Sequence, residues 1–427
     1  MSTPVVGFAG MTHLGINTMA ATAARGFHTV GFAPDPALVD RLKAGHMPVV
    51  EPDLDTYVAD NAERMRFTAE AKDLSACDIV YIAADVPTDD DARSDLTPIL
   101  ALIDDVAANL RSDAVMVVLC QVPPGFTRSI TSVPHERLVY QVETLIFGRA
   151  VERAMYPERF IVGCHAPERG LPAAFEQVLK SFDCPILPMR YESAELAKIS
   201  INFCLVASVS VANTLAEVSE AIGADWSEIV PALKLDRRIG QYSYLTPGLG
   251  ISGGNLERDL RTIINIGSAK GTDVGMVESW IHNSGYRKDW LWRTLEGQVL
   301  AGQPNPRIAV LGLAYKENTH STKNSPSLKL LAHLEGREVV VHDPVVPATV
   351  VPWAKGAGSV EEALNGADVL VLATPWPAYR EITVAQLAAA MRGRVVIDPY
   401  RLIDGRALVA AGFTWHALGL PALHPKD

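Results

Sequence analysis

At 427 residues, 48% hydrophobic and 20% charged, the chain is too long for one ordinary core and too apolar for disorder, so two or three globular domains are expected. A formal net charge of −11 opposes non-specific binding to nucleic acid, whose phosphates require a basic surface. Five scattered cysteines (Cys77, Cys120, Cys164, Cys184, Cys204) suit reduced thiols rather than a disulfide framework, and no metal site is expected.

The N-terminal segment "TPVVGFAGMTHLGINTMAATAARGFHTVGFAPD" reads strand, glycine turn, helix, strand, the pattern of a βαβ unit. Gly10 and Gly15 frame the turn. The runs "CDIVYIAADVP" and "AVMVVLCQVPPG" then supply short, wholly apolar strands of the kind buried in parallel sheets, separated by helical segments such as "DLTPILALIDDVAANL". From Tyr191 to Ile222 the character changes to a proline-free apolar run with helical periodicity, read as one long helix. A helix apolar on more than one face is normally covered by another domain or subunit, so a homodimer is expected.

After Pro304, "RIAVLGLAYKENT" again sets a strand before a glycine, and "GADVLVLATPWP" echoes "ACDIVYIAADVP". The echo predicts a second Rossmann-like domain, with "AGQPNPRI" as the linker. The expected architecture is α/β, with two doubly wound Rossmann-like domains joined by a long central helix: residues 1–190, 191–300 and 301–427. The apolar runs are strand-sized, and no basic region precedes an apolar stretch at the N-terminus, so a cytoplasmic protein with no membrane partner is expected.

The ordered fragments "EPDLD", "VPPGFT", "YPERFIVG", "SAELAKISIN", "LDRRIG", "GLGISGGNLERD", "LGLAYKENT", "SPS" and "HDP" resemble the nucleotide-sugar 6-dehydrogenases that include UDP-glucose and GDP-mannose dehydrogenases. The resemblance covers nearly the whole chain. It implies NAD on the first domain, a nucleotide sugar mainly on the second, and two successive oxidations of a sugar C6 alcohol through an aldehyde to a carboxylate. For the cofactor it assigns Gly10, Thr12, Gly15, Asp35 and Lys323. Thr12 stands where the family's middle glycine lets the backbone approach the pyrophosphate, and Ala33 stands where an acidic residue grips the ribose; Asp35 is the substitute on offer.

For catalysis the resemblance implies Glu143, Lys198, Asn202, Asn255 and Asp259. Lys198 and Asn202 are four apart and share a helix face, which lets an ammonium stabilise an alkoxide while a carboxamide holds the sugar oxygen. Asn255 occupies the place of the family's thioester-forming cysteine, and a carboxamide forms no thioester. Phe147 replaces a second glutamate, and Gln121 a threonine. Cys120 and Cys204 are read as core residues rather than replacement thiols, Cys204 facing away from Lys198 and Asn202. For the substrate the resemblance implies Arg238, reaching from a partner subunit, Gly250 and Lys316. The expected activity is a single alcohol-to-aldehyde oxidation or a redox-neutral epimerisation. The alternatives are a non-catalytic nucleotide-sugar binding protein and a hydroxyacid dehydrogenase of the 6-phosphogluconate type, which the second Rossmann-like domain argues against.

Overall fold

The computed structural model describes residues 3–87, 94–303 and 305–425; Pro304, in the expected linker, lies outside the described residues. By contacts the chain divides into two compact units, Met1–Ile201 and Asn202–Asp427.

The first unit is built on an eight-stranded sheet in the order β3-β2-β1-β4-β5-β6-β7-β8. The strands are β1 Val5–Ala9, β2 His28–Phe32, β3 Met65–Thr68, β4 Ile79–Ile82, β5 Val115–Val118, β6 Leu138–Gln141, β7 Phe160–Cys164 and β8 Ile186–Arg190. All neighbours are parallel except β6 and β7. The wholly buried β4 and β5 explain why their sequences show no alternation: helices cover both faces of a parallel sheet, so no strand face meets water. The chain order reverses beside β1, between β1 and β4, which is where such sheets leave a crevice at the strands' C-terminal ends.

The second unit repeats the theme in a six-stranded sheet, β11-β10-β9-β12-β13-β14. Its strands are β9 Ile308–Leu311, β10 Val339–His342, β11 Lys355–Gly356, β12 Val369–Leu372, β13 Val395–Ile397 and β14 Thr414–His416, all parallel. The sequence echo marks equivalent strands, because β4 pairs with β1 as β12 pairs with β9.

The long helix spans Tyr191–Ile222, as its proline-free apolar run predicts. Within the second unit one face carries Glu217, which binds Arg287 at 2.9 Å and Arg293 at 3.0 Å, and Glu220, which accepts from Trp290 Nε1 at 3.0 Å. Arg287 is fully buried, and desolvation lowers its pKa against the pull of both glutamates. The other face exposes Val211, Leu215, Val218 and Ile222, a stripe at the alternating four- and three-residue spacing of a helix–helix seam. The helix is long and apolar enough to cross a membrane, an 18-residue stretch of it reaching a mean hydropathy of 1.7 that the strand-sized reading of the apolar runs did not anticipate. The ion-paired glutamates fit burial against protein instead.

Candidate active site

The turn after β1 meets the demands of a dinucleotide diphosphate. Gly10 has φ +104, and a Cβ on it would lie 2.7 Å from Ala84 N; a Cβ on Gly15 would lie 1.9 Å from Gly10 O. Both glycines are therefore compulsory, one for its backbone angle and one for the close passage of helix His13–Ala24 over the turn. The side chain of Thr12, the position of concern, turns inward: its hydroxyl donates to Ala83 O at 3.2 Å. It makes no cap to the helix, whose N-terminal amides and positive dipole end face the turn. The residues present thus fit a diphosphate despite the missing glycine.

The ribose corner differs. Ala33 is buried at the end of β2, and Asp35 Oδ1 accepts from Ala37 N at 2.9 Å to cap helix Pro36–Lys43. Asp35 therefore works as a helix cap three residues past the strand, where the sequence offered it as a ribose grip. In the second unit the corresponding turn is closed by its own carboxylate. Asp343 Oδ2 accepts from Leu313 N at 2.6 Å, Ala314 N at 3.0 Å and Trp376 Nε1 at 3.0 Å. That turn also carries a glycine of matching geometry, Gly312 at φ +103.

Beyond β6 the first unit brings Glu143 and Lys198 together. Lys198 Nζ lies 2.7 Å from Glu143 Oε1 and donates to Glu143 O at 3.0 Å, while Leu145 N donates to Glu143 Oε2 at 2.9 Å. Side-chain exposures of 12% and 17% leave the pair reachable but partly desolvated, so neither is the solvated surface charge it would be at an arbitrary position. Glu195, one helical turn before Lys198, is fully buried and accepts from Gly125 N at 2.6 Å and Thr127 N at 2.8 Å. It pins the "VPPGFT" loop to the long helix, and burial pushes its pKa up despite those donors. No spacing rule reveals Glu195, since its partners lie about seventy positions away.

In the second unit Asn202 Nδ2 donates to Asp259 Oδ2 at 2.5 Å, and Arg258 Nε lies 3.6 Å from Asp259 Oδ1. All three are buried. An acceptor-only carboxylate orients the carboxamide with its NH2 inward, leaving Asn202 Oδ1 as the group presented to a hydroxyl. Asn255 starts helix Asn255–Lys270 and is exposed.

The glycine loop before it is shaped by protein packing. Gly250 has φ +84, and a Cβ there would lie 2.6 Å from Ser284 O. Its bareness is required by helix Gly275–Lys288, a reason separate from its expected place at the substrate. A Cβ on Gly253 would meet the Tyr315 ring at 3.2 Å, Gly253 N donates to Lys323 O at 3.1 Å, and the Lys323 stem passes over Gly254. Lys323 and Lys316, which lies 5.8 Å above the Tyr315 ring, thus belong to the segment on which the glycine loop rests. Lys288, which the sequence reading missed, packs its stem against Gly250, and desolvation lowers its pKa. Arg238 stands apart: its guanidinium is 89% exposed and binds Asp236 at 2.6 and 3.0 Å. Cys120 is buried as expected, whereas Cys204 is exposed, which corrects its assignment to the core. The correction follows from helical geometry, because two residues beyond the buried Asn202 the side chain points the other way.

Two doubly wound units, one with a diphosphate-ready glycine turn and a lysine–glutamate pair beside the sheet, define the class of nicotinamide-dependent dehydrogenases. More narrowly, the chain belongs to the UDP-glucose/GDP-mannose dehydrogenase family: residues 5–183 match its NAD binding domain, 192–284 its central domain and 309–405 its UDP binding domain. NAD is the cofactor of that first domain. A UDP-glucose 6-dehydrogenase of Pseudomonas aeruginosa is 29% identical over 440 residues, covering 96% of each chain. The UDP-glucose 6-dehydrogenase TuaD of Bacillus subtilis is 27% identical over 410 residues, covering 92% of this chain and 88% of that protein. Among solved structures, a UDP-glucose dehydrogenase from Pyrobaculum islandicum superposes with a TM-score of 0.84 at 27% identity, over 95% of this chain and 96% of its own. A UDP-D-ManNAc dehydrogenase from Pyrococcus horikoshii shares the fold, with a TM-score of 0.81 at 23% identity over 97% and 99%.

Proposed function

We propose that this chain oxidises the C6 alcohol of a UDP-linked sugar once, to the aldehyde. The observation that carries the reading is Asn255, exposed at the head of its helix where the family's second oxidation needs a thiolate. The described cysteines offer no obvious substitute. Cys77, Cys120 and Cys164 are buried, and desolvation pushes the first two thiols up to about 12. Cys184 is raised by the same cause, and Cys204 lies on the helix face turned from Asn202. Phe147 also removes the second glutamate of the family pattern, and with it a group able to activate water.

The first oxidation needs none of these groups. Held at the turn of Gly10, Thr12 and Gly15, NAD would supply the acceptor for the C6 hydride. The hydroxyl proton passes to the Glu143 carboxylate, the Lys198 ammonium stabilising the alkoxide as it forms. Asn202, oriented by Asp259, accepts from a sugar hydroxyl and fixes its direction. Lys316 and, from a second copy, Arg238 supply positive charge for the nucleotide diphosphate, and Lys323 supplies it for the cofactor.

The test is to incubate purified protein with NAD and, separately, UDP-glucose, UDP-N-acetylmannosamine and GDP-mannose, measuring NADH and trapping carbonyl product with hydroxylamine. Equal amounts of NADH and oxime are expected with a UDP-sugar. Twice as much NADH as sugar consumed, with a uronate, would overturn the reading. An isomerised sugar without net NADH would identify an epimerase, and binding without turnover a recognition protein.

The Val211, Leu215, Val218 and Ile222 stripe supports a homodimer through the long helix. Leu215→Glu places a charge in that seam and should halve the mass measured by light scattering at micromolar concentration, with the helical signal retained. An unchanged mass would remove the seam.

A further inference from the structure

The buried carboxylate of Glu51 has no place in the chemistry above, yet it joins two parts of the first unit that the chemistry uses. Its side chain is 1% exposed. Oε1 lies 2.7 Å from His13 Nε2 and accepts from Gly148 N at 2.8 Å, and Oε2 accepts from Ala150 N at 3.1 Å. His13 is the first residue of the helix that leaves the glycine turn, next to Thr12. Its ring also stacks on Phe147, with centroids 4.0 Å apart and planes at 27°. The segment from Glu143 to Ala150 is thus held at both ends. Glu143 grips Lys198, while Phe147, Gly148 and Ala150 are fastened through His13 and Glu51.

We propose that His13 is a positioning residue, which makes the seating of the Glu143–Lys198 pair depend on the cofactor turn. Of the three donors that hold the buried Glu51 carboxylate, His13 alone is a side chain from the turn. Removing it leaves Glu51 with only the two loop amides, and the same change strips the ring from under Phe147. The segment then loses its attachment to the turn while keeping its attachment to Lys198. Filling the turn restrains the first residues of the helix, His13 among them, and that restraint passes to Gly148 and Ala150 through one carboxylate. The inference rests on Glu143 and Lys198 being the hydride-transfer pair, but its test contains no nucleotide sugar. Failure of the single-oxidation reading would therefore leave the result untouched.

The experiment is amide hydrogen exchange on the full-length protein with and without NAD, at NAD concentrations shown by calorimetry to saturate each variant. In the wild type, NAD should slow exchange across residues 143–150. His13→Phe keeps a ring against Phe147 but removes the donor; exchange of Gly148 and Ala150 should then be roughly 10-fold faster without NAD. Added NAD should no longer slow it. His13→Gln, whose amide can donate to Glu51, should restore a large part of the NAD response, which a general loss of packing would not allow. Peptides from β9 to β12 serve as the control for folding. Equal protection by NAD in wild type and His13→Phe would overturn the proposal, as would no response in the wild type or failure of the wild type to bind NAD. Loss of NAD binding in His13→Phe with unchanged exchange at 148–150 would place His13 on the cofactor itself and also overturn it.

Discussion

Lys198→Met should lower the single-turnover rate of NADH formation from a UDP-sugar by about 10³-fold while NAD affinity stays within about threefold. The ammonium is largely buried and makes two contacts with one residue, so it carries charge in a partly desolvated place where charge acts strongly. Methionine fills similar volume but offers neither a donor nor a charge to the alkoxide. Glu143→Gln should cost less, about 10²-fold, because the lysine keeps its bond to the backbone carbonyl of residue 143. Single-turnover absorbance separates this chemistry from product release. A Lys198→Met rate within tenfold of wild type would remove the lysine from the reaction and leave the ion pair as a structural clamp.

Cofactor binding should be governed by a different set of residues. The turn after β1 obtains its fit from Gly10, Gly15 and an inward-turned Thr12, and the ribose corner has Ala33 in place of a carboxylate at the strand end, with Asp35 capping a helix just beyond it. The two units divide the labour accordingly, the second having closed its own turn with Asp343.

Much of this was legible in the sequence. The bounds of the long helix followed from an apolar run without proline, and the strand–glycine–helix repeat correctly marked two Rossmann-like units. Even the echo between "ACDIVYIAADVP" and "GADVLVLATPWP" carried structural meaning, since β4 and β12 are the strands on the far side of each glycine-turn strand. The antiparallel turn of β7 was hidden, because a buried strand reads the same in either direction. Lys198 and Glu143 were singled out through their motifs, whereas the roles of Glu51 and Glu195, though both lie inside quoted fragments, and of His13 were not visible. Their partners lie 38 to 99 positions away, and one carboxylate among forty-nine acidic residues shows nothing of its burial until the chain is folded. The need for Gly250 was visible, but its cause was not: its neighbour is a carbonyl on another helix.

Asn255→Cys should reopen the second oxidation and stall it. The new thiol would sit at the exposed head of helix Asn255–Lys270, where the partial positive charge of the helix end favours thiolate. Attack on the C6 aldehyde forms a carbon–sulfur bond and a thiohemiacetal. Loss of the remaining C6 hydrogen with its electron pair to a second NAD then leaves a thioester. Release requires water activated at the carbonyl, and the family's second glutamate is Phe147 here, its ring stacked on His13. The acyl group should therefore accumulate on the protein. Intact-mass spectrometry of Asn255→Cys with NAD and a UDP-sugar should show a covalent adduct removable by hydroxylamine, together with NADH in excess of free aldehyde; wild type should show neither. Phe147→Glu added to Asn255→Cys should convert the stalled adduct into slow uronate turnover. If Asn255→Cys forms no adduct while still making aldehyde, residue 255 does not face C6, and the single oxidation must be ascribed to something other than the missing thiol.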